Sequence, residues 1–298
     1  VTLTQQNIHF RSDSNYPDGY SKDYDGNLTI NITATNVGSF QNYNSDDFNS
    51  NEGNGQYNNN EFGTGILLWD KSHLSVGKDL TISVIPERMA GSKSEAKRRG
   101  IQMQNGSTMS VAGNTTILID NYKHTDVYGT GTSIPADEDY GMSAQQGISL
   151  SGAGTALELG GDLDITMLNG NRSSGILAQY DASLTVNGNT RIEVTGAPFH
   201  TYGITNQYDD QKYGLSRTSD DASLYFKKDL SIVTEGGNNS IGINLKDANS
   251  NSSFTVDGHT SITASGAKLY ENRGQYQEFH NAVSNYGIFL NGIQNATF

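Results

Sequence analysis

Apolar and polar residues alternate along this chain in short runs, and the runs recur in a fixed frame. Seven units open on a Gly-Ile pair: Gly65-Ile66, Gly100-Ile101, Gly147-Ile148, Gly175-Ile176, Gly203-Ile204, Gly242-Ile243 and Gly287-Ile288. After each of the first six comes an apolar pair with one residue between: Leu74 and Val76, Met109 and Val111, Leu157 and Leu159, Leu184 and Val186, Leu224 and Phe226, Phe254 and Val256. Six residues beyond the second member stands an isoleucine every time: Ile82, Ile117, Ile165, Ile192, Ile232 and Ile262. Two places on come Val84, Ile119, Met167, Val194, Thr234 and Ala264. A period of two marks a strand with one buried face. Each unit therefore predicts three short strands.

A tight turn separates the second and third strands. Asp79, Asn114, Asp162, Asn189, Asp229 and His259 stand three residues after the second apolar position. An earlier partial copy, Gly26-Asn27-Leu28-Thr29-Ile30-Asn31-Ile32, fits the frame with Asn27. Asn and Asp suit such turns because their side chains bond the local backbone and they tolerate left-handed conformations. Stacked units would set these side chains in a ladder.

Short strands, Gly or Asx at each corner, and a stacked aliphatic interior predict an all-β chain. The expected fold is a right-handed, single-stranded parallel β-helix of about seven to eight coils. With strands about 4.8 Å apart, the rod is roughly 40 Å long. A β-propeller would need longer blades and hairpin turns, and no 3.6-residue period supports helical repeats.

Composition agrees with thin coils. Hydrophobic residues are 34% and charged residues 17% of 298; Gly is 34, Asn 31, Pro 4 and Cys 0. Two or three inward residues per strand suffice in a solenoid, so few apolar residues are required. The net charge of −13 argues against nucleic acid as a partner, because phosphate binding needs a clustered positive surface. The absence of Cys removes disulfides, Cys-zinc sites and thiol nucleophiles. No apolar stretch has signal-peptide form or membrane-spanning length. The abrupt end after a strand-like segment suggests a piece of something longer.

Residues 1–298 read as one β-helical domain interrupted by insertions at 33–64, 85–99, 120–146, 206–221 and 265–286. All but 206–221 fall between the third strand of one unit and the next Gly-Ile. Loops leaving mainly from one corner are the expected binding face. The first holds Tyr43, Asp46, Asp47 and Tyr57 in an amide-rich setting, a mixture suited to adaptable recognition. The second carries Lys97, Arg98 and Arg99, the basic cluster of an acidic chain, fitted to an acidic neighbour or a sulfated glycan. Tyr128 and Tyr140 in the third, and Tyr208, Asp209, Asp210 and Tyr213 in 206–221, repeat the tyrosine-plus-acid theme. These are the candidate ligand- or self-binding residues.

Catalytic chemistry is poorly represented. Asp209/Asp210 and Asp220/Asp221 are the local carboxylate pairs that a glycosidase or lyase would draw on. Gly129-Thr130-Gly131-Thr132-Ser133-Ile134-Pro135 lacks the His and Asp context of a serine nucleophile. Asp23 and Asp25 before Gly26 form a fragment of a calcium loop without its terminal Glu.

The run Ala182-Ser183-Leu184-Thr185-Val186-Asn187-Gly188-Asn189-Thr190-Arg191-Ile192-Glu193-Val194, with Gly65-Ile66-Leu67-Leu68, resembles passenger domains of Gram-negative type V autotransporters, of the AIDA/antigen-43/pertactin class. The resemblance covers almost the whole chain, in repeat frame, Cys absence and Asn/Gly/Thr richness. It implies export on a C-terminal β-barrel outside this chain and display on the bacterial surface or secretion after cleavage. It implies adhesion rather than catalysis: attachment to another copy, to a host-surface protein or to a glycan, in cell aggregation or biofilm formation. A secreted receptor-binding effector on the same scaffold, and a polysaccharide lyase or hydrolase, are the alternatives.

Overall fold

Three strands per unit wind into eight stacked coils. The computed structural model describes residues 1–4, 7–12, 16–32, 63–85, 98–120, 144–168, 172–195, 200–205, 221–236, 239–246, 252–266, 284–291, 293 and 295–298. Among them are 24 strands and no helix. The first coil is β1 (Thr2–Thr4), β2 (Ile8–Phe10) and β3 (Ser21–Tyr24); the second is β4 (Leu28–Ile32), β5 (Gly63–Leu68) and β6 (His73–Val76). The third is β7 (Leu80–Val84), β8 (Arg98–Gln104) and β9 (Thr108–Val111); the fourth is β10 (Thr115–Asp120), β11 (Ala144–Ser151) and β12 (Ala156–Leu159). The fifth is β13 (Leu163–Leu168), β14 (Arg172–Gln179) and β15 (Ala182–Val186); the sixth is β16 (Thr190–Thr195), β17 (His200–Thr205) and β18 (Ala222–Phe226). The seventh is β19 (Leu230–Glu235), β20 (Asn239–Lys246) and β21 (Ser253–Val256); the eighth is β22 (Thr260–Ser265), β23 (Ser284–Asn291) and β24 (Asn295–Thr297). Taking every third strand gives three eight-stranded sheets: sheet A from β1 to β22, sheet B from β2 to β23, sheet C from β3 to β24. Every pairing is parallel, which makes the fold a parallel β-helix.

The predicted ladders are in register. In sheet A, Leu3, Ile30, Ile82, Ile117, Ile165, Ile192, Ile232 and Ile262 are successive partners. Sheet B stacks Ile8, Ile66, Ile101, Ile148, Ile176, Ile204, Ile243 and Ile288. Sheet C stacks the Leu74-to-Phe254 and Val76-to-Val256 columns. Almost all of these side chains are buried in one core. Each fully buried Ile or Leu stabilises by about 2–3 kcal/mol relative to exposure. Thin coils therefore hold together through like-on-like stacking.

The glycine of each Gly-Ile pair turns out to lie within a sheet B strand rather than at a turn. None of these glycines has a positive φ. What demands glycine is space. A Cβ on Gly100 would sit 2.5 Å from Ile117 Cγ2 and 2.6 Å from the Gly147 carbonyl oxygen. On Gly175 it would sit 2.3 Å from Ile192 Cγ2 and 2.7 Å from the Gly203 oxygen. The sheet A isoleucine fills the place of the missing side chain, so the two halves of the repeat are coupled.

The Asx corner between sheets C and A is the predicted ladder. The side-chain oxygen of Asp79 accepts from Asn114 N (2.9 Å), Asn114 from Asp162 N (2.9 Å), Asp162 from Asn189 N (2.7 Å) and Asp229 from His259 N (2.8 Å). The third corner, between sheets B and C, carries a column that the sequence reading did not single out. Buried Ser72, Thr155 and Ser252 accept from the backbone N–H of Tyr20, Gly106 and Ala222 in the preceding coil, at 3.0–3.1 Å.

The first coil was legible only in part. Asn7-Ile8 replaces Gly-Ile, and Lys22 and Tyr24 hold the places of the apolar pair. Its Leu3, Ile8 and Phe10 are nonetheless as buried as the middle of the rod. The eighth coil is open by contrast, with Ile288 42% and Phe298 48% exposed.

Candidate binding edge

The three corners differ in how much chain they carry. Every sheet C-to-A connection is three residues: 25–27, 77–79, 112–114, 160–162, 187–189, 227–229 and 257–259. Sheet A-to-B connections run from three residues (169–171) to thirty (33–62), with 85–97, 121–143 and 266–283 also long. Sheet B-to-C connections are mostly short, apart from 11–20 and 206–221. The strands resume the same register after each long connection. Closing a longer loop costs little once its ends are held, so one edge can vary while the coil does not.

Tyr43, Asp46, Asp47, Tyr57, Lys97, Tyr128, Tyr140, Tyr208, Asp209, Asp210, Tyr213 and Asp220 lie outside the described residues. Asp221, at the entry to β18, is buried, and its carbonyl accepts from Asp181 N at 2.8 Å. Arg98 and Arg99 are described, and they open β8 rather than ending a loop. Arg99 is 7% exposed; its Nε donates to Gln146 Oε1 at 2.7 Å and its Nη1 donates to Gln102 Oε1. Arg98 is largely buried, and that burial lowers its guanidinium from the ordinary range to about 10.

Arg98 has company of one kind. Its register neighbour on β5 is Gly63, which offers no side chain. Arg99 pairs with Gln146, which sets Arg98 beside Gln145 on β11; Gln145 in turn pairs with Ser173 on β14. Gln145 is fully buried and Ser173 2% exposed. Arg98 Nε, both amide atoms of Gln145 and Ser173 Oγ all lack hydrogen-bond partners. The sequence signalled the arginines as a basic cluster but not the glutamine and serine, because only the register brings them together.

Elsewhere several charged and aromatic side chains pair on the surface. Arg191 bridges Asp164 (3.1 Å) and Glu193 on the outer face of sheet A. Arg11 lies 4.9 Å over the ring of Trp69 and 3.7 Å from Asp70. Tyr225 donates to Asp257, which raises its phenol above the ordinary value. Exposed pairs of this kind contribute little to stability. His9 differs: burial first, and then the Arg11 charge, lower it to about 4, so it is neutral in the fold.

For the calcium candidate, Asp23 lies exposed on β3 and accepts from Ser75 Oγ, while Asp25 is exposed at the Asx corner. Among the described residues no group of three or more His, Cys, Asp or Glu side chains is placed to hold a metal ion, and no helix is long and apolar enough to cross a membrane. Comparison with protein-family models, with characterised proteins and with solved structures finds no match to this chain.

Proposed function

We propose that this chain is the stalk of a bacterial surface adhesin of the autotransporter-passenger type. Its sheet A-to-B edge binds a second copy, a host-surface protein or a glycan. One observation carries the reading: connection length varies widely at that edge, while the Asx corner keeps three residues in every coil. Variation concentrated at one edge lets a solenoid present recognition loops without disturbing its core. The residue types assigned to that edge, chiefly Tyr, Asn and Asp, suit polar recognition, and the acidic balance of −13 makes charged contacts there salt-sensitive.

The test is display. Cells carrying the chain on their surface are scored for sedimentation and for attachment to host cells. The reading expects clumping or attachment that weakens as salt is raised and is competed by soluble chain. Displayed, folded protein that neither clumps cells nor attaches them contradicts it.

A further inference from the structure

A guanidinium held out of water without a partner is costly, since buried charges are normally paired and hydrogen-bonded. Arg98 Nε is in that position. It is unpartnered, and no carboxylate among the described residues forms an ion pair with the guanidinium. Burial alone moves its pKa. The unpartnered atoms beside it are of two kinds. Gln145 Nε2 and Ser173 Oγ can donate, and Gln145 Oε1 can only accept. A bare anion would satisfy the arginine and leave the amide oxygen orphaned. A carboxylate carrying a neighbouring hydroxyl answers both.

We propose that coils three to five form a hydroxycarboxylate site at the sheet A-to-B edge: the Arg98 guanidinium receives the carboxylate, and Gln145, with Ser173, receives the adjacent hydroxyl. The three side chains come from successive strands of sheet B, about 4.8 Å apart. Gly63, the register neighbour in the preceding coil, is buried and has no side chain to compete for the arginine. Arg98 itself is partly exposed, so a ligand reaches its outer nitrogens from solvent. Arg99 is excluded from this role because Gln146 and Gln102 already hold it. The chemistry fits a free hydroxy acid or the uronate of an acidic glycan. The site stands on its own geometry and does not depend on the adhesin reading.

The experiment combines titration calorimetry and thermal unfolding of the whole chain with glycolate, D-glucuronate and an oligoglucuronate, with glucose and chloride as controls. Saturable binding of the carboxylates and not of the controls is expected. Arg98→Met should weaken it by about tenfold or more, and Gln145→Leu by less. Tighter binding of the oligomer than of D-glucuronate points to a glycan; equal binding points to a free acid. A second reading guards against misfolding. Without ligand, Arg98→Met should melt no lower than the parent, since it removes an unpaired charge, and the carboxylates should stabilise the parent alone. No response to any carboxylate, as a site holding only water would give, overturns the proposal. So does an equal response in Arg98→Met, or a ligand-free Arg98→Met that melts well below the parent.

Discussion

The Asx corner and the sheet A-to-B edge solve the same problem, returning the chain to the next coil, in opposite ways. At the Asx corner three residues suffice, and a side-chain oxygen in one coil accepts the backbone N–H of the next. Spacing, turn and inter-coil bond are fixed together, so length cannot drift. At the other edge the register is set after the connection, by glycine against isoleucine and by the Ile8-to-Ile288 column. The connection is then free to be short or long. The difference separates the part of the chain that holds the rod from the part whose length is free to vary.

Breaking the glycine seat should have the largest effect. In Gly147→Val the new Cβ would sit 2.5 Å from the Gly175 carbonyl oxygen and 2.7 Å from Ile165 Cγ2. Backbone cannot yield as a side chain can, so a loss of about 4 kcal/mol is expected in urea unfolding. Gly26, at the first Asx corner with no earlier corner stacked on it, has nothing within 4 Å of such a Cβ, so Gly26→Ala should change stability by less than about 0.5 kcal/mol. A Cβ on Gly188 at a later corner, by contrast, would meet the Gly161 carbonyl carbon at 2.4 Å. Equal losses at Gly147 and Gly26 would break the contrast.

Acid should separate the two sides next. His9, on sheet B, has a folded pKa of about 4 against an ordinary 6.5, so the unfolded chain binds its proton first. Stability should therefore be full above pH 6.5 and fall as the pH drops towards 4, by about 3 kcal/mol in all. The corner residue Asp229 is held below its ordinary value, chiefly by the hydrogen bond from the His259 backbone, so its contribution is lost only at more acid pH. Unfolding midpoints of the parent and His9→Gln across this range check the order. A parent curve that is flat between pH 6.5 and 4 contradicts it.

The smallest effect belongs to a single rung of the Asx ladder. Asp162→Ala deprives Asn189 N of its acceptor at an exposed site, for about 1 kcal/mol, and Asp162→Asn should restore most of it. A loss in Asp162→Asn equal to that in Asp162→Ala would mean that charge, not the shared carbonyl-type acceptor, stabilises the corner.

The sequence carried the ladders because stacking repeats its own spacing. Ile82 and Ile117, thirty-five positions apart, are partners because both hold the same place in the unit. It carried the Asx column for the same reason. Three features were not legible. The first coil lacks the Gly-Ile signature. The Ser72-to-Ser252 column reads as ordinary loop hydroxyls until the coils are stacked. The glycines invite a turn explanation, although the reason for them is an isoleucine from a different sheet. At the candidate edge, Arg98 and Arg99 stood out as charge, but their opposite circumstances, one held by glutamines and one unpartnered, depend on register.

If the Asx side holds the rod while the sheet A-to-B edge binds, replacing 121–143 with the Asn169-Gly170-Asn171 connection should part adhesion from stability. The unfolding free energy from urea titration should stay within about 0.5 kcal/mol of the parent, with cell clumping or host attachment reduced. Loss of cooperative unfolding, or adhesion left at the parent's level after all the long connections at that edge are shortened in the same way, would contradict that division.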